Sequence, residues 1–282
     1  MTAPAIDAIV VGSGPNGLAA AITLARAGRS VRVYEAAPTI GGGTRTQELT
    51  LPGFRHDVCS TIVPLTLASP FFRSIDLARH GVEFLQPDAS LAHPLDDGRV
   101  GLLERSVADT AARLGGPDGR AWRGLFGPLS RDAGRLGDEL LRPVVHVPRH
   151  PIALARFGLP ALRSASGLAR SRFREDPARA LFSGLAAHSM LDLRRPLTAS
   201  FGLVLGMYAH AVGWPMVRGG SALLAAGLAA ELLEAGGEIL VDQPVTDLRE
   251  LPPARAVVLD LTPRQALWVA GDRIGRPDPP RV

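Results

Sequence analysis

Gly12, Gly14 and Gly17 stand at the spacing G-x-G-x-x-G in "VVGSGPNGLAAAITLARAG", directly after the apolar run at residues 8–11. Ala21 lies four residues beyond Gly17, and Glu35 closes a second apolar run, 23 residues after Gly12. Residues of these types at these distances suit phosphate and ribose binding. A glycine at 12 permits a tight turn, and a glycine at 14 lets backbone approach a pyrophosphate. Small residues at 17 and 21 let a helix lie close on a sheet. With Asn16 inside the turn, the helix start offers N–H groups and a partial positive charge to an anion. Pro15 fits its first turn, where a missing N–H costs nothing. The carboxylate of Glu35 can accept hydrogen bonds from ribose hydroxyls and would repel a 2′-phosphate. The chemistry read from the spacing is therefore dinucleotide binding, with a 2′-phosphorylated ligand disfavoured.

Such a site must be positioned by a β-α-β unit. Residues 8–11 are continuously apolar, as in a strand buried on both faces of a parallel sheet. The spacing predicts a helix from Pro15 to about Ala27, stopped at Gly28, and a strand over 31–35. Further on, residues 69–92 predict a short helix and then a strand near 82–85. "PLDDGRVGLL" predicts a hairpin around Asp97-Gly98. Residues 106–141 predict helices interrupted at 115–119 and at Gly127-Pro128. A β-α pattern returns with a helix over 221–235, a strand over 238–241 and another over 256–261. The expected fold class is α/β: a Rossmann-like dinucleotide-binding domain with a parallel sheet, into which an α+β, largely helical domain is inserted. The expected boundaries are 1–64 and 216–271 for the first domain, 65–215 for the insertion, and 272–282 for a disordered tail.

Composition narrows the function classes. The chain has 282 residues, 46% hydrophobic and 21% charged, which is globular rather than disordered. A net charge of +4 and 5% aromatic residues are no nucleic-acid signature. All 31 basic residues are arginine, and the one cysteine, Cys59, excludes an internal disulfide and a multi-cysteine metal site. The N-terminal residues lack the basic and apolar regions of a signal peptide, so a cytoplasmic location is expected. Two stretches carry alternatives. Arg142, Arg149, Arg156, Arg163, Arg170, Arg172 and Arg174 fall in one segment without Asp or Glu, interleaved with Ile152, Leu154, Phe157, Leu159 and Leu162. This is either a peripheral contact with an anionic membrane or a solvated helical face. Residues 197–217 are nearly uncharged and just long enough to span a bilayer. Their Thr, Ser, His, Pro and glycines favour a buried core helix or the wall of an apolar pocket.

The stretch after Glu35, "EAAPTIGGGTRT", places Ala36, Gly42 and Gly43, then Thr44, Arg45 and Thr46, just beyond the acid. It resembles the glycine-doublet, arginine-bearing signature of flavoproteins. With "VVGSGPNGLAAAITLARAG", "GGGTRTQELTLPGFRHDVCST", "GWPMVRGGSALLAAGLAAELLEAGGEI" and "LDLTPRQAL", the chain resembles the phytoene dehydrogenase-related FAD-dependent oxidoreductases of the amine-oxidase superfamily. The resemblance implies FAD as cofactor. It implies that Gly12, Gly14, Pro15, Asn16 and Gly17 cradle the pyrophosphate and that Glu35 and Ala36 meet the adenosine ribose. Gly42, Gly43, Thr44, Arg45 and Thr46 would follow the phosphates and ribityl chain, and Val245 would hold adenine through main-chain groups. It further implies a hydrophobic or amine-like small-molecule substrate, oxidised by two-electron transfer to flavin, with no catalytic side chain assigned. Members of this family are longer. The expectation is thus an N-terminal portion with adenosine and pyrophosphate contacts but without the wall around the flavin ring. The alternative is a catalytically inactive fragment that only binds nucleotide or a partner.

Other chemically capable residues carry less. His56, Asp57 and Cys59 read as structural or substrate-lining, because a flavin itself performs the electron transfer. Asp96 and Asp97 read as turn chemistry, and His146, His150, His188 and His210 have no metal-ligand spacing. The Gly271-Asp272 pair follows a predicted helix rather than a strand and is set aside.

Overall fold

The computed structural model describes residues 6–143 and 145–271. In chain order, β1 (Ile6–Val11), α1 (Pro15–Arg26) and β2 (Val31–Tyr34) lead to a hairpin of β3 (Thr46–Glu48) and β4 (Arg55–Asp57). Short helices α2 (Pro64–Ala68) and α3 (Pro70–Arg73) precede β5 (Phe84–Leu85), followed by a second hairpin of β6 (Ala89–Pro94) and β7 (Val100–Glu104). Seven helices follow: α4 (Val107–Leu114), α5 (Gly116–Arg131), α6 (Ala133–Leu140), α7 (Pro151–Ala161), α8 (Ala165–Arg172), α9 (Asp176–Ala187) and α10 (Thr198–Ala211). The chain ends through β8 (Met216–Val217), α11 (Ala222–Glu234), β9 (Glu238–Leu240), β10 (Ala254–Leu259) and α12 (Pro263–Ala270). The expected tail, 272–282, with Asp272, lies outside the described residues. Two compact units result, one from residues up to 61, 74–84 and from 216 onward, the other from 62–73 and 85–215.

The first unit is a Rossmann-like α/β structure. Its sheet has the order β10-β1-β2-β9 with every pairing parallel. Ala8 stands between Ala256 and Val31, and Val33 pairs with Ile239. β1 is central, and Ile9 and Val10 are fully buried, which is why this strand reads as an uninterrupted apolar run. α1 puts Leu18, Ala21, Ile22 and Ala25 inward, and α11 adds Leu224, Ala225, Leu228 and Leu232. Glu231, buried on α11, accepts from Arg26 of α1 at 2.5 Å and from Arg79 at 3.2 Å, with His80 at 3.1 Å. These ion pairs offset the desolvation of a carboxylate that would otherwise be costly to bury.

The second unit is mainly helical, with the β6–β7 hairpin as its sheet. α10 runs through its core: Ala199, Leu203, Met207 and Ala209 are fully buried. A Cβ on Gly206 would lie 2.4 Å from Phe126 Cε1, and one on Gly202 3.1 Å from the Phe182 ring. The small residues of this uncharged stretch thus admit aromatic rings rather than lipid. Among the described residues no helix is long and apolar enough to cross a membrane. Two expectations are corrected here: the interruption at 115–119 narrows to Gly115, and α5 continues through Gly127-Pro128 instead of breaking. Its buried stripe of Trp122, Leu125, Phe126 and Leu129 outweighs the roughly 3 kcal/mol that an internal proline costs.

Beside that stripe, the Trp122 indole N–H donates to His210 Nε2 at 3.0 Å, so Nδ1 carries the proton and faces the Arg105 carbonyl at 3.1 Å. Burial of the ring holds its pKa down at about 4, against an ordinary 6.5. The unfolded chain therefore binds a proton that the folded unit refuses between these values. Stability from this site is complete above pH 6.5 and is lost as pH falls toward 4. The expected loss is about 3 kcal/mol, measured by urea titration at pH 7 and at pH 4. His210→Gln, which can keep both hydrogen bonds, should flatten that difference. An equal pH dependence in the variant would refute the assignment.

Candidate functional site

A cleft of about 590 Å³ opens in the first unit at the C-terminal ends of β1 and β2, within the roughly 300–1,000 Å³ typical of small-molecule sites. Its wall joins segments far apart in sequence: Gly12 to Asn16, Tyr34 to Ala36, Gly42 and Gly43, Gln243 to Thr246, and Asp260 with α12 residues Gln265 and Trp268. In a parallel sheet the carboxyl ends of the strands gather at one edge, and the turns leaving them enclose this space.

The turn after β1 has the geometry that its glycines promised. Gly12 has φ +103°, and a Cβ there would lie 2.3 Å from the Asp260 carbonyl oxygen. A Cβ on Gly17 would lie 2.4 Å from Gly12 O, so this glycine sets the helix against the strand end. A Cβ on Gly14 would meet only the Asp260 carboxylate, at 2.6 Å. No side chain caps α1 at Gly14. Instead the Gly17 N–H donates to Asp260 Oδ2 at 2.9 Å.

Glu35 follows β2 and faces the cleft. Its Oε2 accepts from the Ser13 N–H at 3.0 Å and from Ser13 Oγ at 2.5 Å, and its Oε1 accepts from the Ala37 N–H at 2.9 Å. Partial burial opposes ionisation, but the hydrogen bonds from Ser13 and Ala37 and the charge of Arg45 outweigh it. The carboxyl is thereby held below its ordinary range and is an anion at neutral pH. Oε2 is thereby fully used, and Oε1 retains a lone pair for a further donor.

The structure brings Gly12, Gly14, Pro15, Asn16, Glu35, Ala36, Gly42, Gly43 and Val245 to one cleft. It does not bring Gly17, Thr44, Arg45 or Thr46 to the wall, and their work is different. Thr44 Oγ1 donates to Gly41 O, Arg45 Nε donates to Gly42 O, and Thr46 Oγ1 donates to Asp57 Oδ1. Thr46 Oγ1 also accepts from the Ala222 N–H at the start of α11, and Asp57 Oδ1 accepts from Ser221 N and Oγ. The loop that supplies Gly42 and Gly43 is thus tied to α11 by these side chains. The sequence reading missed Ser13, Asp260, Gln265 and Trp268. Of these, α12 was announced by Thr262-Pro263-Arg264-Gln265, whose first and last side chains form a capping box.

Comparison with known proteins places this geometry. The family model of the NAD(P)-binding Rossmann-like domain matches residues 10–75. The chain is 32% identical over 255 residues to hydroxyneurosporene desaturase of Cereibacter sphaeroides, covering 84% of this chain and 49% of the relative. It is 35% identical over 105 residues to pyridine nucleotide-disulfide oxidoreductase domain-containing protein 2 of Mus musculus, covering 37% of this chain and 18% of the relative. Among solved structures, an oxidoreductase from Methanosarcina mazei superposes with a TM-score of 0.61 at 17% identity, over 94% of this chain and 61% of that one, which shows a shared fold. The resemblance to phytoene dehydrogenase-related proteins is borne out, and residues 10–75 are similar to an NAD(P)-binding Rossmann-like domain. The chain spans at most about half the length of these two sequence relatives.

Two glycines separate packing from binding. Gly17→Ala drives a methyl into backbone and should cost about 1–3 kcal/mol, read as a lower melting temperature. Gly14→Ala meets only the Asp260 carboxylate, so it should cost no more than that cap, about 1 kcal/mol, and less than Gly17→Ala, while nucleotide affinity falls. Equal melting temperatures for parent and Gly17→Ala would contradict this division.

Proposed function

We propose that this chain provides the FAD-binding part of a flavin-type oxidoreductase. Its substrate would be an apolar or amine-like small molecule, oxidised by two-electron transfer. The observation that carries the reading is the convergence on one cleft of the first glycine turn, the acid after β2, the second glycine run and residues 243–246. A site for a nicotinamide dinucleotide needs the first two features. Gly42 and Gly43 extend the side-chain-free floor beyond them: a Cβ on Gly42 would lie 3.2 Å from Gly14 Cα. A long pyrophosphate-linked cofactor fits such a floor.

Gly12, Gly14, Pro15 and Asn16 would hold the pyrophosphate at the start of α1, and Gly42 and Gly43 would run alongside it. Glu35 and Ala36 would meet the ribose, and Val245 the adenine. Arg45, behind Gly42, contributes positive charge, while Thr44 and Thr46 hold the loop in place. Bound flavin would supply the two-electron acceptor. The substrate class is supported by two relatives, a hydroxyneurosporene desaturase and a limonene dehydrogenase subunit.

The deciding measurement is the visible spectrum of purified protein dialysed from excess FAD. Flavin absorption near one equivalent is expected, and colourless protein that binds NADH instead would replace FAD by a nicotinamide cofactor. Bound flavin with no turnover of any substrate by a dye acceptor would leave nucleotide binding alone as the function of this chain.

Glu35 makes a second outcome specific. Being anionic, it should favour ADP over 2′,5′-ADP by at least about tenfold, a difference of about 1.4 kcal/mol. Trp268 provides the signal, because it lines the cleft and is 68% exposed, whereas Trp122 and Trp214 are buried. Quenching by both ligands at equal concentrations would show that Glu35 does not face the ribose.

A further inference from the structure

We propose that the outward face of α7, with residues 145–150 leading into it and Arg142, docks onto an anionic lipid surface. α7 buries Ala153, Phe157 and Ala161, spaced four apart, against the second unit. Its other face presents Ile152, Arg156 and Leu159, continued just past the helix by Leu162 and Arg163. Before it stand Val145 and Val147. Val145, Val147, Ile152, Leu159 and Leu162 are between 62% and 95% exposed. Five large aliphatic side chains in 18 residues form an apolar surface that water alone does not favour.

The charges around this surface select its partner. Arg142, Arg149, Arg156 and Arg163 recur every seventh residue, and residues 142–174 contain seven arginines and no acid. Of the three acids on α6 and at its start, Asp138 is exposed and the other two are already used. Asp132 is shared by Arg135 and Arg156. Glu139 is buried, bonded to His146 Nε2 at 2.6 Å and to the N–H groups of Arg149 and His150 at 2.7 Å, so it shapes the loop rather than neutralising it. Among the described residues, the guanidinium groups of Arg142 and Arg149 make no ion pair. Pairing this face with a second copy would set arginine against arginine, with no acid in residues 142–174 to intervene. A membrane offers phosphates at the depth of the arginines and acyl chains at the depth of the aliphatic side chains.

The test is flotation of the whole chain with vesicles of phosphatidylcholine alone or with about one-third phosphatidylglycerol. Binding should require the anionic lipid and weaken as salt rises from about 0.1 M to about 1 M. Arg142→Gln with Arg149→Gln should lower affinity about fivefold per arginine. Ile152→Ser with Leu159→Ser should lower it at least about tenfold. These side chains are exposed, so both variants should keep the parent's far-UV spectrum. Should one fail to fold, the salt and lipid dependence of the parent decides. Absence of binding to the anionic vesicles, or equal binding to neutral ones, overturns the proposal. So does a dimer in light scattering that the Ile152→Ser/Leu159→Ser pair dissolves, which would assign the face to self-association.

Discussion

The first unit depends on how closely two turns approach each other where β1 and β10 end. Asp260 N–H donates to Val11 O at 2.8 Å, and its carbonyl stands where a Cβ of residue 12 would be. Its carboxylate then reaches the first turn of α1 at Gly17. No side chain fits between these backbones, so glycine at 12 and 17 is a packing requirement before it is a binding one. Because the sheet is parallel, the same edge also collects the turns after β2 and β9. The cleft follows from that gathering, since turns leaving adjacent parallel strands diverge and leave space between them.

What could be read in the sequence is what depends on local spacing. The strand–turn–helix–strand order around Gly12, Gly14 and Gly17, the acid after β2, the hairpin at Asp97-Gly98 and the return of β-α character after residue 216 all show as periodicity or turn chemistry. Thr44, Arg45 and Thr46 show the limit of such reading. Their types suit phosphate, yet Thr44 and Arg45 bond to carbonyls of their own loop, and Thr46 bonds to Asp57 and the start of α11. The partners Asp57 and Ser221 are 164 residues apart, and no pattern along the chain announces a contact of that range. Asp260 was hidden for the same reason, because its role exists only when β10 lies beside β1. Pro128 was misread in the opposite direction, since a local breaker yields where the helix around it has a strongly buried face.

The two units solve the problem of buried polarity differently. In the first, Glu231 is met by Arg26, Arg79 and His80, so its charge is kept and answered. Its pKa is lowered: burial opposes ionisation, but the hydrogen bonds from Arg26 and His80 prevail. In the second, His210 gives up its charge, and a neutral ring bridges Trp122 and the Arg105 carbonyl. A carboxylate near guanidinium groups gains more from ionisation than burial takes away. An imidazole among Trp122 and Phe126 rings has no counter-charge, so desolvation decides.

Asp260 also bears on how the cleft is prepared for a ligand. A helix start normally leaves its first N–H groups to solvent or to an anion. Here one of them, at Gly17, is satisfied from within, by a carboxylate placed where it also complements the helix dipole. Such a cap is worth about 1 kcal/mol to the helix and fixes the turn before any nucleotide arrives. Glu35 does the same for Ser13 on the other flank. Two carboxylates beside a phosphate cradle would weaken attraction for an anion through the long-range field. Attraction then rests on short-range N–H donors of the turn, with Arg45 behind it. A site built this way gains affinity from donors held in position rather than from net charge, and its anionic flanks reject phosphate placed anywhere else.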